Sequence, residues 1–233
     1  MTDIRALTFD VFGTVVDWRT GVAREAAAVL GPKGQALDWL AFADRWRAQY
    51  APAMERVSRG QRPFVILDEM HWENLLELLR QERIEGLSDA EIEDLTHAWH
   101  RLDPWPDVVD GLTRLKRRFV LATLSNGNIA LMVKMAKRAG LPWDVILGAE
   151  VARAYKPTPL AYDFAASALQ LAPAQCLMVA AHPADLRAAA ERGFRTAYVH
   201  RPHEFGAAEM PWPTDGFDYK VGNFLELADK LGA

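Results

Sequence analysis

Leu7-Thr8-Phe9-Asp10-Val11-Phe12-Gly13-Thr14-Val15-Val16-Asp17 is the stretch on which the fold turns. Its apolar lead, Ile4 to Phe9, has the composition of a short buried strand, and Gly13-Thr14 bends the chain just beyond it. Asp10 thus stands at the C-terminal end of a strand, where open α/β sheets gather their chemistry.

Downstream of this turn the rhythm changes. From Thr20 to about Trp99 the apolar residues recur at helical spacing, without a strand pattern. Gly21–Leu30 is predicted as a helix broken by Gly31-Pro32-Lys33-Gly34, Leu37–Val57 as a second helix and Phe64–Arg80 as a third. Ser88-Asp89-Ala90-Glu91 is a capping-box signature for a fourth, running to His100. Strands and helices then alternate. Strands are predicted over Phe119–Leu124, Val145–Ala149, Cys176–Ala181 and Arg195–Val199, and a closing helix over Gly222–Leu231. Gly140 with Pro142 ends one helix, and Thr158-Pro159 opens another. The expected fold is α/β: a Rossmann-like, mostly parallel sheet with helices on both faces, plus an inserted all-helical cap of four helices. The core takes residues 1–17 and 101–233, and the cap residues 18–100. Pro202 to Gly216 is a long irregular connection to which the sequence assigns no role.

Composition narrows the class. With 233 residues, half of them apolar and a quarter charged, the chain can bury a substantial core. A net charge of −4 argues against a nucleic-acid partner. Nothing resembles a signal peptide, and no apolar run approaches the roughly 18 residues of a membrane span. The lone cysteine, Cys176, excludes an internal disulfide and is expected as a buried thiol in a cytoplasmic protein. Six of the eight tryptophans fall before residue 106, so bundle core is the expected role for those in the helical segment, ahead of a substrate wall.

Four positions fall at strand ends. Asp10 follows the first, Ser125-Asn126 the second, and Asp185 lies just past the fourth. Lys156, in Tyr155-Lys156-Pro157, occupies the loop after the third. Brought to one edge of a parallel sheet, they supply a nucleophile, a small polar clamp, a cation and a second carboxylate. That set suits covalent catalysis by a carboxylate: Lys156 keeps Asp10 ionised and the second acid handles water.

These residues, in this order, resemble the four motifs of the haloacid dehalogenase superfamily, and the helical insert sits where that superfamily places its first cap. Most members transfer phosphoryl groups with magnesium and carry a second Asp two residues after the nucleophile, which protonates the leaving oxygen. Here that position is Phe12. A halide leaves without a proton, so Phe12 points to the L-2-haloacid dehalogenase branch, whose pocket has an aromatic residue at this position. The resemblance implies that Asp10 displaces halide to form an ester and that water, activated by Asp185, then attacks the ester carbonyl. It further implies that the amides after Asp10 (Val11, Phe12) and Ser125 bind the substrate carboxylate, with Thr14 and Lys156 in support. Halide is expected between Asn126 and an arginine in a Trp-Arg context, Arg47, with Arg45 as the alternative for a shifted register. Tyr50, one turn from Arg47, lines the pocket or packs in the bundle. No cofactor and no metal are expected, and a homodimer is. A phosphatase of the same superfamily and a non-catalytic binding protein with a retained pocket are the competing readings.

One motif departs from the branch pattern. Ser-Ser-Asn before the last acid becomes Ala180-Ala181-His182. His182, at a predicted helix N-cap, is expected to position or deprotonate water or to donate to a halide. The substitution leaves halogen preference open, and fluoroacetate turnover is one hypothesis: a compact, well-donating pocket would assist so poor a leaving group as fluoride. The other histidines, His71, His97, His100, His200 and His203, show no metal-ligand spacing.

Overall fold

The computed structural model describes residues 3–206 and 208–233; residues 1 and 2 of the expected core, and residue 207 within the Pro202–Gly216 connection, lie outside them. The chain begins with β1 (Ala6–Phe9) and a two-residue β2 (Val16–Asp17), then runs through α1 (Trp18–Leu30), α2 (Trp39–Ala48), α3 (Tyr50–Ser58), α4 (Leu67–Gln81) and α5 (Asp89–Thr96) to a short β3 (Asp103–Pro104). Next come α6 (Val108–Leu115), β4 (Val120–Leu124), α7 (Ile129–Ala139), β5 (Val145–Leu147) and α8 (Ala149–Ala152). The remainder is α9 (Pro159–Ala168), β6 (Cys176–Ala180), α10 (Pro183–Glu191), β7 (Arg195–Val199), β8 (Tyr219–Val221) and α11 (Phe224–Leu231).

Six strands form one sheet in the order β5-β4-β1-β6-β7-β8, with every neighbouring pair parallel. Successive side chains on a strand point to opposite faces. Leu7, Phe9, Leu121, Leu177 and Val179 pack with residues of α6, α7 and α11. Ala122, Leu124, Cys176, Met178 and Ala180 pack with Tyr162 and Ala165 of α9 and Leu186 and Ala189 of α10. Both faces are therefore covered, as the alternation predicts. β1 lies between β4 and β6, so the chain reverses its winding there, and the loops after these three strands open onto one crevice.

β2 and β3 pair antiparallel, Val16 with Pro104 and Asp17 with Asp103, and stitch together the two connections that flank the helical segment. That segment holds five α-helices among the described residues, not four. The predicted Leu37–Val57 helix breaks at Gln49, because Pro52 has no N–H for the carbonyl of Ala48. Ser88 and Glu91 form the capping box as predicted, and Gly140 ends α7 in the left-handed region, φ 69°. Thr158 stands at the N-cap of α9, but its hydroxyl donates to the Tyr155 carbonyl and gives no side-chain cap. Four elements were absent from the sequence reading: the two-residue β2 and β3, the single turn α8, and β8, whose three residues Tyr219–Val221 carry too little alternation to register.

The helical segment packs around aromatic residues. Trp46 and Trp99 meet edge to face at 5.6 Å, and Trp18 stacks on Trp99 at 6.3 Å. Cys176 is fully buried, and burial pushes its thiol up to about 11, which makes it an inert core group. No described helix is long and apolar enough to cross a membrane.

Candidate active site

Asp10 extends the sheet by one backbone bond, its N–H donating to the Val179 carbonyl at 3.0 Å. Gly13 then takes φ +84°, a conformation open to glycine, and curls the chain so that Thr14 returns beneath the carboxylate. The Thr14 hydroxyl donates to Asp10 Oδ2 at 2.7 Å and accepts from the Ala181 N–H at 2.9 Å, tying the turn to the end of β6. Lys156 Nζ donates to Oδ1 at 3.0 Å, and His182 Nδ1 lies 2.9 Å from Oδ2. Burial alone would raise the acid, but Lys156, His182 and Thr14 outweigh it and hold Asp10 well below the carboxylate range. Among the described residues, the Val11 and Phe12 amides have no protein acceptor. They form a pair of free donors beside an anion-bearing turn.

Lys156 sits between two acids. Its Nζ also donates to Asp185 Oδ2, and the Tyr162 hydroxyl donates to Oδ1 at 2.6 Å. Burial would lower Lys156, but the two carboxylates raise it above its usual value. Asp185 goes the other way: burial and the nearby Asp10 charge raise it against Lys156 and Tyr162. Asn126 fixes the loop, accepting the Lys156 N–H at Oδ1 (2.7 Å) while its Nδ2 faces Met54 Sδ at 3.3 Å. A divalent metal fits this set poorly. Its natural ligands, Asp10 and Asp185, already share one ammonium, and Phe12 offers no third carboxylate.

Above these groups lies a cavity of about 200 Å³. Eight of the predicted site residues line it: Asp10, Phe12, Arg47, Tyr50, Asn126, Lys156, His182 and Asp185; Pro157 and Ala184 complete the wall. Val11, Thr14 and Ser125 do not line it. Val11 and Thr14 act from underneath, and the Ser125 hydroxyl turns back to accept the Gly127 N–H at 3.1 Å. Phe12 is buried and meets Trp99 edge to face at 5.9 Å. The two arginines divide. Residues two apart on a helix point to nearly opposite sides, so Arg45 reaches Glu82 at 2.6 Å while Arg47 turns into the cavity. There its guanidinium lies 4.0 Å from the Tyr50 ring centroid and 5.7 Å from that of Trp18. Tyr50 lines the cavity and also packs in the bundle against His71, the ring centroids 6.4 Å apart.

His182 occupies the N-cap of α10, yet its side chain makes no cap bond. The ring bridges two carboxylates: Nδ1 faces Asp10, and Nε2 lies 3.0 Å from both oxygens of Glu204. Burial would lower the imidazole, but these carboxylates push it up to about 10. It is an imidazolium at neutral pH with both N–H groups committed, so in the resting site it has neither a lone pair for deprotonating water nor a free N–H for a halide.

Glu204 was missed from the sequence. It is 2% exposed, accepts the Trp18 indole N–H at 3.1 Å and packs so close to Gly13 that a Cβ there would fall 2.0 Å from its Oε1. Its loop is anchored by Arg201, which holds Asp107 through two bonds (2.6 and 3.0 Å) and the Thr14 carbonyl at 2.9 Å. One signal was available: Arg201-Pro202-His203-Glu204 follows β7 at the same sheet edge as every other site residue. Tyr162 was missed too, because a tyrosine within a helix reads as core.

The haloacid dehalogenase-like hydrolase family model matches residues 4–193. An (S)-2-haloacid dehalogenase from Burkholderia cepacia is 31% identical over 217 residues, covering 89% of each chain. Among solved structures, a defluorinating L-2-haloacid dehalogenase superposes with a TM-score of 0.96 at 45% identity, over 99% of this chain and 96% of its own. A second L-2-haloacid dehalogenase gives 0.94 at 41%, over 98% and 99%. With four motifs, one crevice and these matches in agreement, the chain belongs to the haloacid dehalogenase-like hydrolases.

Proposed function

We propose that this chain hydrolyses carbon–halide bonds, converting short (S)-2-haloalkanoic acids to 2-hydroxyacids through an aspartyl ester on Asp10. The observation that carries the reading is the pairing of an ionised, buried Asp10 with Phe12 two residues on. With phenylalanine where an acid would protonate the leaving atom, the site suits a leaving group that needs no proton, which halide is and alkoxide is not. The names of the relatives support the same substrate class, and the 45% identical defluorinating relative supports including fluoroacetate.

In the first step an Asp10 oxygen attacks C2 in line, the carbon–halogen bond breaks, and its electron pair leaves on the halide. Arg47 and the Asn126 amide lie on the cavity wall where the departing anion is received. The substrate carboxylate is held by the Val11 and Phe12 amides and by Lys156. In the second step Asp185, raised above its ordinary value by burial, takes a proton from water as that water attacks the ester carbonyl. The cavity of about 200 Å³ lies below the usual range for drug-sized ligands and so suits a small acid. We read residues 18–100 as a cap over a core of 1–17 and 101–233, and the protein as a cytoplasmic homodimer, which size-exclusion chromatography with light scattering tests.

A phosphatase reading is weaker because of Phe12. Halide release that is insensitive to chelator separates the two, and loss of turnover in Asp10→Asn separates both from a binding protein. The decisive experiment is a single turnover of (S)-2-chloropropionate in oxygen-18 water. The product hydroxyl comes from Asp10 and stays unlabelled; labelled product in that turnover would falsify the ester route.

A further inference from the structure

Asp10 has two oxygens with different surroundings. Among the described residues Oδ1 meets only Lys156, whereas Oδ2 accepts from both Thr14 and His182. The less encumbered Oδ1 is the better nucleophile, which leaves Oδ2 as the carbonyl oxygen of the ester. We infer that His182 and Thr14 form the oxyanion site for hydrolysis of this ester, and that Glu204 is the positioning residue that keeps His182 a charged donor while the ester stands. The inference rests on the dehalogenase reading above and concerns its second half-reaction.

The need for Glu204 follows from charge. In the resting site His182 lies between two anions, Asp10 and Glu204. Alkylation of Oδ1 removes the charge of Asp10 at the moment an oxyanion donor is wanted. Glu204 is then the one carboxylate still touching the ring. Without it a buried imidazole sheds its proton, and a neutral ring can turn a lone pair toward Oδ2. Lys156 lies beyond Asp10 and opposes protonation, as does Arg47 on the cavity wall, while Asp185 is held by Lys156 and Tyr162. Trp18, from α1, contributes an uncharged N–H to Glu204. Gly13 leaves the room that the Glu204 carboxylate fills, and Arg201 pins its loop.

The step balances as follows. Water adds to Cγ, giving one proton to Asp185, and the carbonyl pair moves onto Oδ2, where the Thr14 hydroxyl and His182 Nδ1–H receive it. The pair returns and the Cγ–Oδ1 bond breaks. Oδ1 leaves as the product hydroxyl, taking a proton from Lys156 Nζ, which is replaced across its hydrogen bond from Asp185. The second water proton departs from the re-formed Asp10 carboxyl to solvent.

The test compares wild type, Glu204→Gln and Glu204→Asp with (S)-2-chloropropionate, following halide release by rapid quench and the ester by intact mass. Glu204→Gln releases its first equivalent of halide near the wild-type rate, then turns over about 100-fold more slowly, on the scale of a lost oxyanion donor, with the ester mass accumulated. Its deficit deepens as pH rises from 6 to 9, where the wild type stays level, and Glu204→Asp recovers part of both the rate and the flat profile. A Glu204→Gln protein with wild-type turnover and profile overturns the inference. So does one that loses burst and turnover equally, or a folded Glu204→Asp that rescues nothing. No halide from the wild type with any 2-haloacid overturns the dehalogenase reading instead.

Discussion

Two arms grip Asp10, and they are built alike: a cation, a carboxylate behind it, and a neutral donor behind that. On one side stand Lys156, Asp185 and Tyr162; on the other His182, Glu204 and Trp18. They differ in what the cation is. An ammonium raised by two acids stays charged throughout the working pH range, so the first arm supplies constant charge. An imidazolium that titrates near 10 supplies charge only while its carboxylates hold it, so the second arm is conditional. The first arm keeps the nucleophile ionised until the ester forms, and the second is available to respond when Asp10 becomes an ester.

Breaking the constant arm has the largest effect. Lys156→Met leaves Asp10 and Asp185 as neighbouring buried acids without a shared cation, and one of them takes up a proton. Halide release is expected to fall by at least about 10³-fold, the scale of losing one member of a concerted catalytic set. Breaking a buried ion pair also costs about 3–5 kcal/mol. Stopped-flow halide detection and thermal melts measure the two losses, and turnover within tenfold of wild type would show that Asp10 does not depend on this arm.

The conditional arm is probed by pH. The folded pKa of His182 lies above its ordinary value of 6.5, so its stabilising contribution is whole below about 6.5 and is lost as pH rises toward about 10. Asp10 has the opposite sign: its pKa is depressed, so its contribution is present above about 3.8 and is lost as pH falls below that. The melting temperature should decline between pH 7 and 10 in the wild type and much less so in His182→Asn. Equal slopes in the two proteins would mean that the imidazolium contributes nothing to folding. A smaller effect is expected from Tyr162→Phe, which removes one donor from Asp185. A hydrogen bond to a charged group contributes about 1.5–3 kcal/mol. Asp185 then rises further, and the acid limb of the kcat profile moves to higher pH by direct measurement.

The arms also differ in how legible they are. Asp10, Lys156 and Asp185 follow strands or open a helix, where apolar runs and turn residues mark the sheet edge. Their order along the chain exposed them. His182 was visible for the same reason, since His182-Pro183 opens α10. Glu204 was not: its loop has no periodicity, and its partner Nε2 is reached only when β6 and β7 lie side by side. Tyr162 failed differently, because α9 is rich in apolar residues and a tyrosine there reads as filling. The single-helix expectation for Leu37–Val57 failed because helical spacing survives a one-residue break at Gln49 and outweighed the signal of Pro52. In the fold, α/β alternation and the helical insert were readable from periodicity alone, while the three residues of β8 were too few to be.

The smallest expected effect sharpens the boundary between site and surface. Arg45 and Arg47 are neighbours in sequence and share a helix, but only Arg47 reaches the cavity that both arms open onto. Arg45 spends its charge on Glu82 at a partly exposed position, an ion pair of the kind that contributes about 0–1 kcal/mol. Arg45→Met should leave kcat/KM within about twofold and the melting temperature nearly unchanged. Arg47→Met, by contrast, removes the cation stacked on Tyr50 and should lower kcat/KM by about 10–100-fold, the scale of one lost charged contact to a bound anion. Arg47→Lys recovers little of this, because an ammonium cannot stack its plane on the Tyr50 ring. If Arg45→Met were the more damaging of the two, the orientation of α2 over the two arms would have to be reversed in solution, and with it the assignment of Tyr50 to the cavity wall.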